Sequence, residues 1–190
     1  MIYPFEGKYP EIHPSVFMTE DAIIIGDVRI AEDVSIWFGS VIRGDVHHVS
    51  IGARTNIQDN CTLHETWQKY PLLIGADVTV GHGAILHACT IEDACLIGMG
   101  ANVLDNSFVG GESLVAAGAV VREGFHVPPG SLVAGVPAKV VRALTEEERE
   151  RLRTSAGNYL NYVRRYRAHR DLERGLDFHS YLEYKRTGRL

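Results

Sequence analysis

The chain has 190 residues, of which 45% are hydrophobic and 23% are charged, and it carries a net charge of −5. This length and apolar content predict one domain with a full hydrophobic core. The negative charge argues against nucleic acid as a partner. No apolar run approaches the ~18 residues of a membrane span, and the N-terminus lacks a basic, hydrophobic signal. We therefore expect a cytoplasmic protein without membrane contact, whose three cysteines are small buried hydrophobic residues: Cys61, Cys89 and Cys95.

Most of the chain repeats with a period of six residues. The second position of each six-residue unit, or hexad, is often glycine, and the fifth is small or slim. Alternating strands have a period of two and helices one of 3.6, so a sustained period of six predicts a β-solenoid. The first position is aliphatic or similar, with breaks in the count after residues 42, 63 and 86: Ile12, Met18, Ile24, Ile30, Ile36, Ile42, Ile51, Ile57, Leu63, Ile74, Val80, Leu86, Ile91, Ile97, Val103, Val109, Val115, Val121, Val127 and Val133.

The first position of each hexad is expected to point into the solenoid, where successive strands stack in parallel at ~4.8 Å. The pattern resembles the hexapeptide-repeat family, and this resemblance implies three hexads per coil, a triangular prism and a left-handed coil. Left-handed crossovers contradict the usual rule for parallel strands, so the handedness comes from the resemblance alone. The expected fold class is mainly β, a left-handed parallel β-helix with a C-terminal α-helix packed along the prism.

Helical features replace the hexads near the C-terminal end. Thr145 and Glu148 form a capping-box pattern, which predicts the start of a helix over roughly 145–170. At ~38 Å this helix could run along the whole height of the prism, which is ~30 Å, and cover one face. The predicted domains are the solenoid at 1–142, the helix at 143–170 and a charged tail at 171–190 without an assigned role. The apolar face of the helix is formed by Leu152, Ala156, Tyr159, Leu160, Val163 and Tyr166.

Three histidines occupy related positions in the repeat. His64 and His87 both take the second position of their hexads, and these hexads lie three units apart. We expect the two rings on one face, one coil apart, where both could bind one ion at ~2.1 Å. His82 belongs to the adjacent face, so a neighbouring chain in a closed ring would have to supply it. The register favours a cyclic homotrimer with three shared metal sites over the alternative of solvated loop histidines.

Polar residues one coil below the histidines could support such a site. Asp59 is expected beneath His82, where its carboxylate could accept the second ring N–H. Gln58 could hydrogen-bond a metal-bound water or hydroxide. Arg43, one coil below the first histidine, could pair with Asp45 across a subunit interface, although a structural ion pair explains the same two residues.

Several segments resemble the γ-class carbonic anhydrase family, over roughly residues 10–168: Arg43-Gly-Asp45, Asn56-Ile-Gln-Asp-Asn60, Leu63-His64, Val80-Gly-His-Gly83, Leu86-His87 and Gly135-Val-Pro-Ala-Lys-Val-Val-Arg142. The resemblance implies that His64 and His87 of one subunit and His82 of its neighbour bind zinc. Iron or cobalt could replace zinc, since imidazole suits several metals. The implied activity is the reversible hydration of carbon dioxide, a small-molecule substrate, by a zinc-bound hydroxide.

The same resemblance implies roles for residues around the histidines. Gln58 would orient the hydroxide, and Arg43 and Asp45 would tie the subunits together. Tyr159 looks like the aromatic residue that reaches the site in many bacterial members, although simple packing of the helix explains it equally well.

One departure from the family affects the expected activity. Archetypal active members carry an acidic loop with a proton-shuttling glutamate, whereas the corresponding insertion here, between Ile42 and Ile51, is short and lacks one. Glu65, or His47 with His48, are the alternative shuttles. A CoA-dependent acyltransferase or thioesterase on the same trimeric scaffold is the rival enzyme. A non-catalytic assembly module with a structural metal is a third interpretation.

Overall fold

A computed structural model describes residues 1–168, 183, 186 and 187. The chain forms the predicted left-handed parallel β-helix, with about 7 turns, followed by an α-helix. Many strands are only two or three residues long, because the chain turns a corner of the prism in each hexad.

The strands in chain order are β1 (Ile2–Tyr3), β2 (Glu11–Ile12), β3 (Phe17–Met18), β4 (Ile23–Ile30), β5 (Ser35–Ile36), β6 (Val41–Ile51), β7 (Asn56–Ile57), β8 (Thr62–His64), β9 (Leu72–Ile74) and β10 (Thr79–Val80). They continue as β11 (Ile85–His87), β12 (Thr90–Ile91), β13 (Leu96–Ile97), β14 (Asn102–Val103), β15 (Phe108–Val109), β16 (Leu114–Val115), β17 (Val120–Val121), β18 (His126–Val127), β19 (Ser131–Ala134) and β20 (Lys139–Ala143). The helix is α1 (Glu146–Ala168).

The strands form the three faces of a prism. The first face is a sheet of 8 strands in the order β3-β5-β7-β10-β13-β16-β19-β20. The other two faces share a sheet of 12 strands, because β4 and β6 continue round a corner and pair on both sides of it. β8, β11, β14 and β17 stack on the second face, and β9, β12, β15 and β18 stack on the third. The antiparallel β19–β20 pair ends the solenoid.

The core is a column of first-position side chains, as predicted. Ile57, Val80 and Ile97 stack through successive coils of the first face. Leu63 and Leu86 do the same on the second face, and all five side chains are fully buried. Register is strongly specified where one side of a strand is buried, so this column fixes which residues face outward together.

The three cysteines are buried and form no disulfide, as predicted. Burial raises the pKa of the Cys61 thiol to about 11 and that of the Cys95 thiol to about 12. Burial also raises the pKa of Cys89. These thiols therefore stay protonated at neutral pH and serve as packing residues.

The α1 helix begins with the predicted capping box. The backbone N–H of Thr145 donates to Glu148 Oε2 at 2.9 Å, and the backbone N–H of Glu148 donates to Thr145 Oγ1 at 3.2 Å. The helix packs against β5 and β10 of the first face. A small aromatic cluster holds its second half there: Phe17, Trp37, Tyr159 and Tyr166.

The solenoid strands extend from Ile2 to Ala143, close to the predicted boundary at 142. The predicted helix end at 170 and the predicted tail at 171–190 lie outside the described residues, apart from 183, 186 and 187. In the described part of the chain, no helix is long and apolar enough to cross a membrane.

We expect Thr145→Ala to lower the free energy of unfolding by about 1 kcal/mol, because the first turn of α1 loses a side-chain acceptor. Thr154→Ala is the matched control at an exposed position of the same helix, where alanine is the better helix former. Urea unfolding followed by circular dichroism measures both variants. Equal stabilities for the two variants would contradict the capping role.

Candidate metal centre

His64 and His87 stack on the second face of the prism, as the repeat predicted. β8 and β11 pair in parallel, with Leu63 opposite Leu86 and His64 opposite His87. The Nδ1 atom of His64 lies 3.1 Å from the Nε2 atom of His87. Two imidazole nitrogens bound at ~2.1 Å to one tetrahedral ion would lie ~3.4 Å apart. The pair therefore needs only a small adjustment to share a metal ion.

Carboxylates fix the tautomers of both rings. Asp45 Oδ1 lies 3.0 Å from His64 Nε2, and Asp105 Oδ1 lies 2.5 Å from His87 Nδ1. An ionised carboxylate only accepts hydrogen bonds, so each of these ring nitrogens carries the proton. The two nitrogens that face each other are left with free lone pairs, as metal ligands require.

Both of these carboxylates are ionised at neutral pH. Burial acts to raise the pKa of Asp45, but hydrogen bonds from Arg43 and His64 outweigh it, and the pKa lies below its ordinary value. The pKa of Asp105 is likewise lowered, against the effect of burial, by the hydroxyl and the imidazole that donate to it. Because both pKa values are depressed, these contacts stabilise the fold at neutral pH. That stabilisation is lost as the pH falls through the depressed values.

His82 lies on the first face, in the turn after β10. Its Nδ1 atom is 2.6 Å from Oδ2 of Asp59, which lies one coil below it, as predicted. The same tautomer argument leaves Nε2 as the free ligand atom. The side chain is 49% exposed, and a corner of the prism separates it from His64 and His87.

Asp45 reaches His64 from a bulge in β6. The pairing between β4 and β6 shifts after Gly44, so that residues 45–48 bulge opposite a single residue of β4, Asp27. The two coils approach closely at this point, since a Cβ on Gly44 would lie 2.5 Å from the Asp27 carbonyl oxygen. Glycine at this position therefore allows the bulge that turns Asp45 toward the histidine.

Arg43 pairs with Asp45 inside the chain. Its Nη1 atom lies 2.5 Å from Asp45 Oδ2, while Asp45 Oδ1 serves His64. This contact corresponds to the structural ion pair that the sequence left open. A tie between subunits through the same two residues stays a prediction.

Gln58 is 6% exposed, and a chain of hydrogen bonds fixes the orientation of its amide. Asn56 Nδ2 donates to Thr79 Oγ1 at 3.0 Å, so Asn56 Oδ1 is the acceptor for Gln58 Nε2 at 3.2 Å. Gln58 Oε1 then accepts the backbone N–H of His82 at 3.2 Å. Thr79 Oγ1 donates to Ser155 Oγ at 3.1 Å, which connects this network to α1. Among the described residues, no hydrogen bond uses the second Nε2 proton of Gln58, so the amide can donate to another group.

Tyr159 belongs to the aromatic cluster that holds α1 against the first face. Its ring centroid is 5.6 Å from that of Trp37. Burial raises the pKa of Tyr159 to about 12, and the nearby negative charge of Asp59 adds to the rise. Tyr159 thus packs the helix against the first face.

Comparison with known proteins bears on this arrangement, although no protein-family model matches the chain. A protein of Geobacillus kaustophilus named "Carbonic anhydrase" is 45% identical over 168 residues, which are 88% of this chain and 92% of that protein. "Gamma carbonic anhydrase 2, mitochondrial" of Arabidopsis thaliana is 45% identical over 159 residues, or 81% of this chain. The chain belongs to the γ-class carbonic anhydrase family.

The chain spans 57% and 60% of the length of the two plant γ-class carbonic anhydrases that it matches. A solved structure from Anaplasma phagocytophilum, named "hexapeptide transferase family protein", is 42% identical and has a TM-score of 0.84. It covers 87% of this chain, and the match covers 98% of that structure. Similar proteins with this fold are therefore named as a transferase as well as carbonic anhydrases.

A second group of possible metal ligands includes one member of the histidine pair. Asp45, His64 and Glu65 each place one such atom within 4.8 Å of the others. Both oxygens of Asp45 already accept hydrogen bonds, and Glu65 Oε1 accepts two from the backbone. We interpret this group as support for His64. The three imidazoles, each with a carboxylate on its other nitrogen, stay the predicted ligand set.

Asp105 was not among the site residues predicted from the repeat. β14 stacks directly above β11, and Asp105 follows β14 by two residues, which brings it beside His87. Counting hexads one coil upward from His87 reaches Leu104, the residue before Asp105, whereas counting downward from His82 reaches Asp59 itself. Asp45 was identified, but its hydrogen bond to a histidine depends on the bulge, which the repeat does not encode.

We expect Asp105→Ala to weaken zinc binding by about 10–100-fold, because His87 loses the acceptor that fixes its tautomer. Asp77→Ala is the control, since it removes a carboxylate whose partner is Arg54, away from the histidines. Competition with a chromophoric chelator measures both affinities. If the two variants bind zinc equally well, Asp105 does not orient His87.

Proposed function

We propose that this protein is a metal-dependent carbonic anhydrase that reversibly hydrates carbon dioxide to bicarbonate in the cytoplasm. His64 and His87 of one subunit and His82 of the next would hold the ion, with zinc as the expected metal and iron or cobalt as alternatives. One observation carries the proposal. In each of the three imidazoles a carboxylate binds one ring nitrogen and leaves the other as a free lone pair.

A homotrimer would complete the site, because His82 lies on a different face from the other two ligands. The surroundings of His82 support burial of that corner against another subunit. Met99 lies one coil above His82 and is 60% exposed, and Ile85, three residues after His82 at the start of β11, is 40% exposed. A closed ring of three chains would cover such apolar side chains while it joins each His82 to its neighbour's pair.

When bound, zinc supplies a nucleophile at neutral pH by lowering the pKa of coordinated water to about 7, as is established for carbonic anhydrases as a class. Gln58 has an uncommitted N–H that can donate to an oxygen of carbon dioxide or bicarbonate. Tyr159, whose pKa is raised to about 12, stays protonated and can also donate. Asp59 orients His82, and its negative charge adds to the raised pKa of Tyr159.

A proton must also return to solvent in each turnover. Glu65 is 1% exposed and accepts two backbone N–H groups, so it is poorly suited to exchange protons with water. His47 and His48 lie on the β6 bulge and are partly exposed. Of the alternative shuttles, the histidine pair is therefore the better supported.

A transferase is the second candidate, because a solved structure with that name shares the fold at 42% identity. A CoA-dependent acyltransferase would need one general base and a groove for its cofactor. Three oriented imidazoles exceed that need, and the insertion between β8 and β9 is only seven residues long, from Glu65 to Pro71. Turnover of acetyl-CoA without carbon dioxide hydration would favour this candidate.

The main test measures bound metal and carbon dioxide hydration on one anaerobically purified sample. We expect about one zinc or iron per chain, hydration that disappears on chelation and returns with metal, and a mass about three times that of the 21.0 kDa chain. Bound metal without hydration would reject carbonic anhydrase activity and keep the site. No bound metal, or a monomer, would reject the shared centre.

Mixed trimers test whether each site is shared between subunits. His82→Ala and His87→Ala subunits alone should each give folded trimers without a complete site. When the two variants are co-expressed, each mixed trimer should contain one interface with all three histidines and should recover one metal ion. If the mixture binds no more metal than the separate variants, the ligands do not come from two subunits.

We expect Gln58→Ala to retain bound metal and to lower the turnover number for carbon dioxide, because the donor beside the site is lost while the three imidazoles remain. Stopped-flow hydration and metal analysis on the same sample separate these effects. A wild-type turnover number would show that Gln58 only supports the backbone of His82.

A further inference from the structure

The two residues that follow His64 contact the groups that orient the histidine pair. Glu65 and Thr66 begin the insertion between β8 and β9, where the hexad count breaks. The Glu65 side chain contacts the backbone of the bulge that carries Asp45, and the Thr66 side chain contacts Asp105.

Glu65 fastens the β6 bulge. Its Oε1 atom accepts the backbone N–H of Val46 at 2.9 Å and that of His47 at 3.0 Å. These are two of the four bulged residues, and they directly follow Asp45. The bulge leaves these N–H groups without a ladder partner in β4, so a buried acceptor is needed to satisfy them.

The burial of Glu65 is unusual for a carboxylate. The side chain is 1% exposed, and its second oxygen, Oε2, has no hydrogen-bond partner among the described residues. Charged side chains are seldom fully buried without pairing. The burial of Glu65 therefore indicates that the backbone of the bulge requires a hydrogen-bond acceptor. This acceptor lies close to Asp45 and His64.

The backbone of the insertion secures the same bulge. Gln68 N–H donates to the Val46 carbonyl at 3.2 Å, so both polar backbone groups of Val46 bind the insertion. A bridge between Thr66 and Tyr70 closes the insertion into a compact loop. These backbone contacts fix the positions from which Glu65 and Thr66 reach the bulge and Asp105.

Thr66 acts on the other histidine. Its Oγ1 hydroxyl donates a hydrogen bond to Asp105 Oδ2, while Asp105 Oδ1 accepts from His87. The carboxylate is thereby fixed at both oxygens and cannot rotate away from the ring. Thr66 reaches across 39 positions of sequence to make this contact.

We propose that Glu65 and Thr66 are positioning residues for the metal centre. Glu65 holds the bulge that aims Asp45 at His64, and Thr66 holds the carboxylate that orients His87. This inference rests on the proposed metal site. It assigns one short loop the control of two of the three ligand tautomers.

The test measures zinc affinity by chelator competition on the full-length protein. We expect Glu65→Ala and Thr66→Val each to weaken zinc binding by about 10-fold, the lower end of the range for groups that orient metal ligands. Glu65→Gln should restore affinity to near wild type, because its amide oxygen still accepts the Val46 and His47 N–H groups. If glutamine fails to rescue, the acceptor role of Glu65 is wrong.

Matched controls use the same substitutions elsewhere on the solenoid. Thr62→Val changes an exposed threonine of the same β8 strand. Glu92→Ala removes a carboxylate that accepts the Gly111 N–H at 2.8 Å on the third face. Both controls should bind zinc like the wild type. Losses equal to those at Glu65 and Thr66 would indicate a general loss of stability and overturn the proposal.

Double variants test whether the two residues act through their carboxylates. Thr66→Val should have no further effect on zinc affinity in an Asp105→Ala background, and Glu65→Ala none in an Asp45→Ala background. Additive losses would overturn the assignment. In metal-free protein, hydrogen exchange at Val46 and His47 should accelerate in Glu65→Ala. A wild type that binds no zinc rejects the metal site itself, whereas zinc-binding variants that match the wild type reject only this inference.

Discussion

The backbone pairing of Leu63 with Leu86 fixes the distance between His64 and His87. Because neighbouring strands stack at ~4.8 Å, the residues that follow, His64 and His87, must lie one above the other at that spacing. The buried aliphatic column behind them prevents either strand from sliding, since a slip of one residue would turn the column outward. The arrangement of the ligand pair is therefore a consequence of core packing, and it requires no ordering of a separate loop.

Coil stacking also supplies two of the carboxylates. Asp59 comes from the coil below His82, and Asp105 comes from the coil above His87. Each imidazole then has one nitrogen committed to a carboxylate before any ion arrives. The ring orientation and the tautomer are fixed in advance, which reduces the ordering that metal binding would otherwise require. The rigid scaffold and the hydrogen bonds act in the same direction.

How far the sequence predicts this molecule depends on whether a residue lies within the repeat. Counting hexads predicted a β-solenoid, and the family resemblance added the left hand and three hexads per coil. Together they predicted the stacking of His64 on His87 and of His82 on Asp59, because each follows from a fixed strand spacing. The capping box of α1 is equally local. The hydrogen bond from His64 to Asp45 could not be predicted, since it depends on a bulge where four residues oppose one. The buried state of Glu65 was missed for the same reason.

The proposed site therefore divides between regular and irregular parts of the chain. The regular coils hold the imidazoles at constant spacing, but a straight prism cannot bring His82 round a corner to the other two. On the proposed function, a second chain has to close that gap, so metal binding and assembly stabilise each other. The irregular parts, at residues 45–48 and 65–71, lie at the corner between the second and third faces, next to His64 and His87. There they hold Asp45 and Asp105 against the two rings. Periodicity thus accounts for the positions of the histidines and for the carboxylate beneath His82, whereas its interruptions orient His64 and hold the carboxylate of His87.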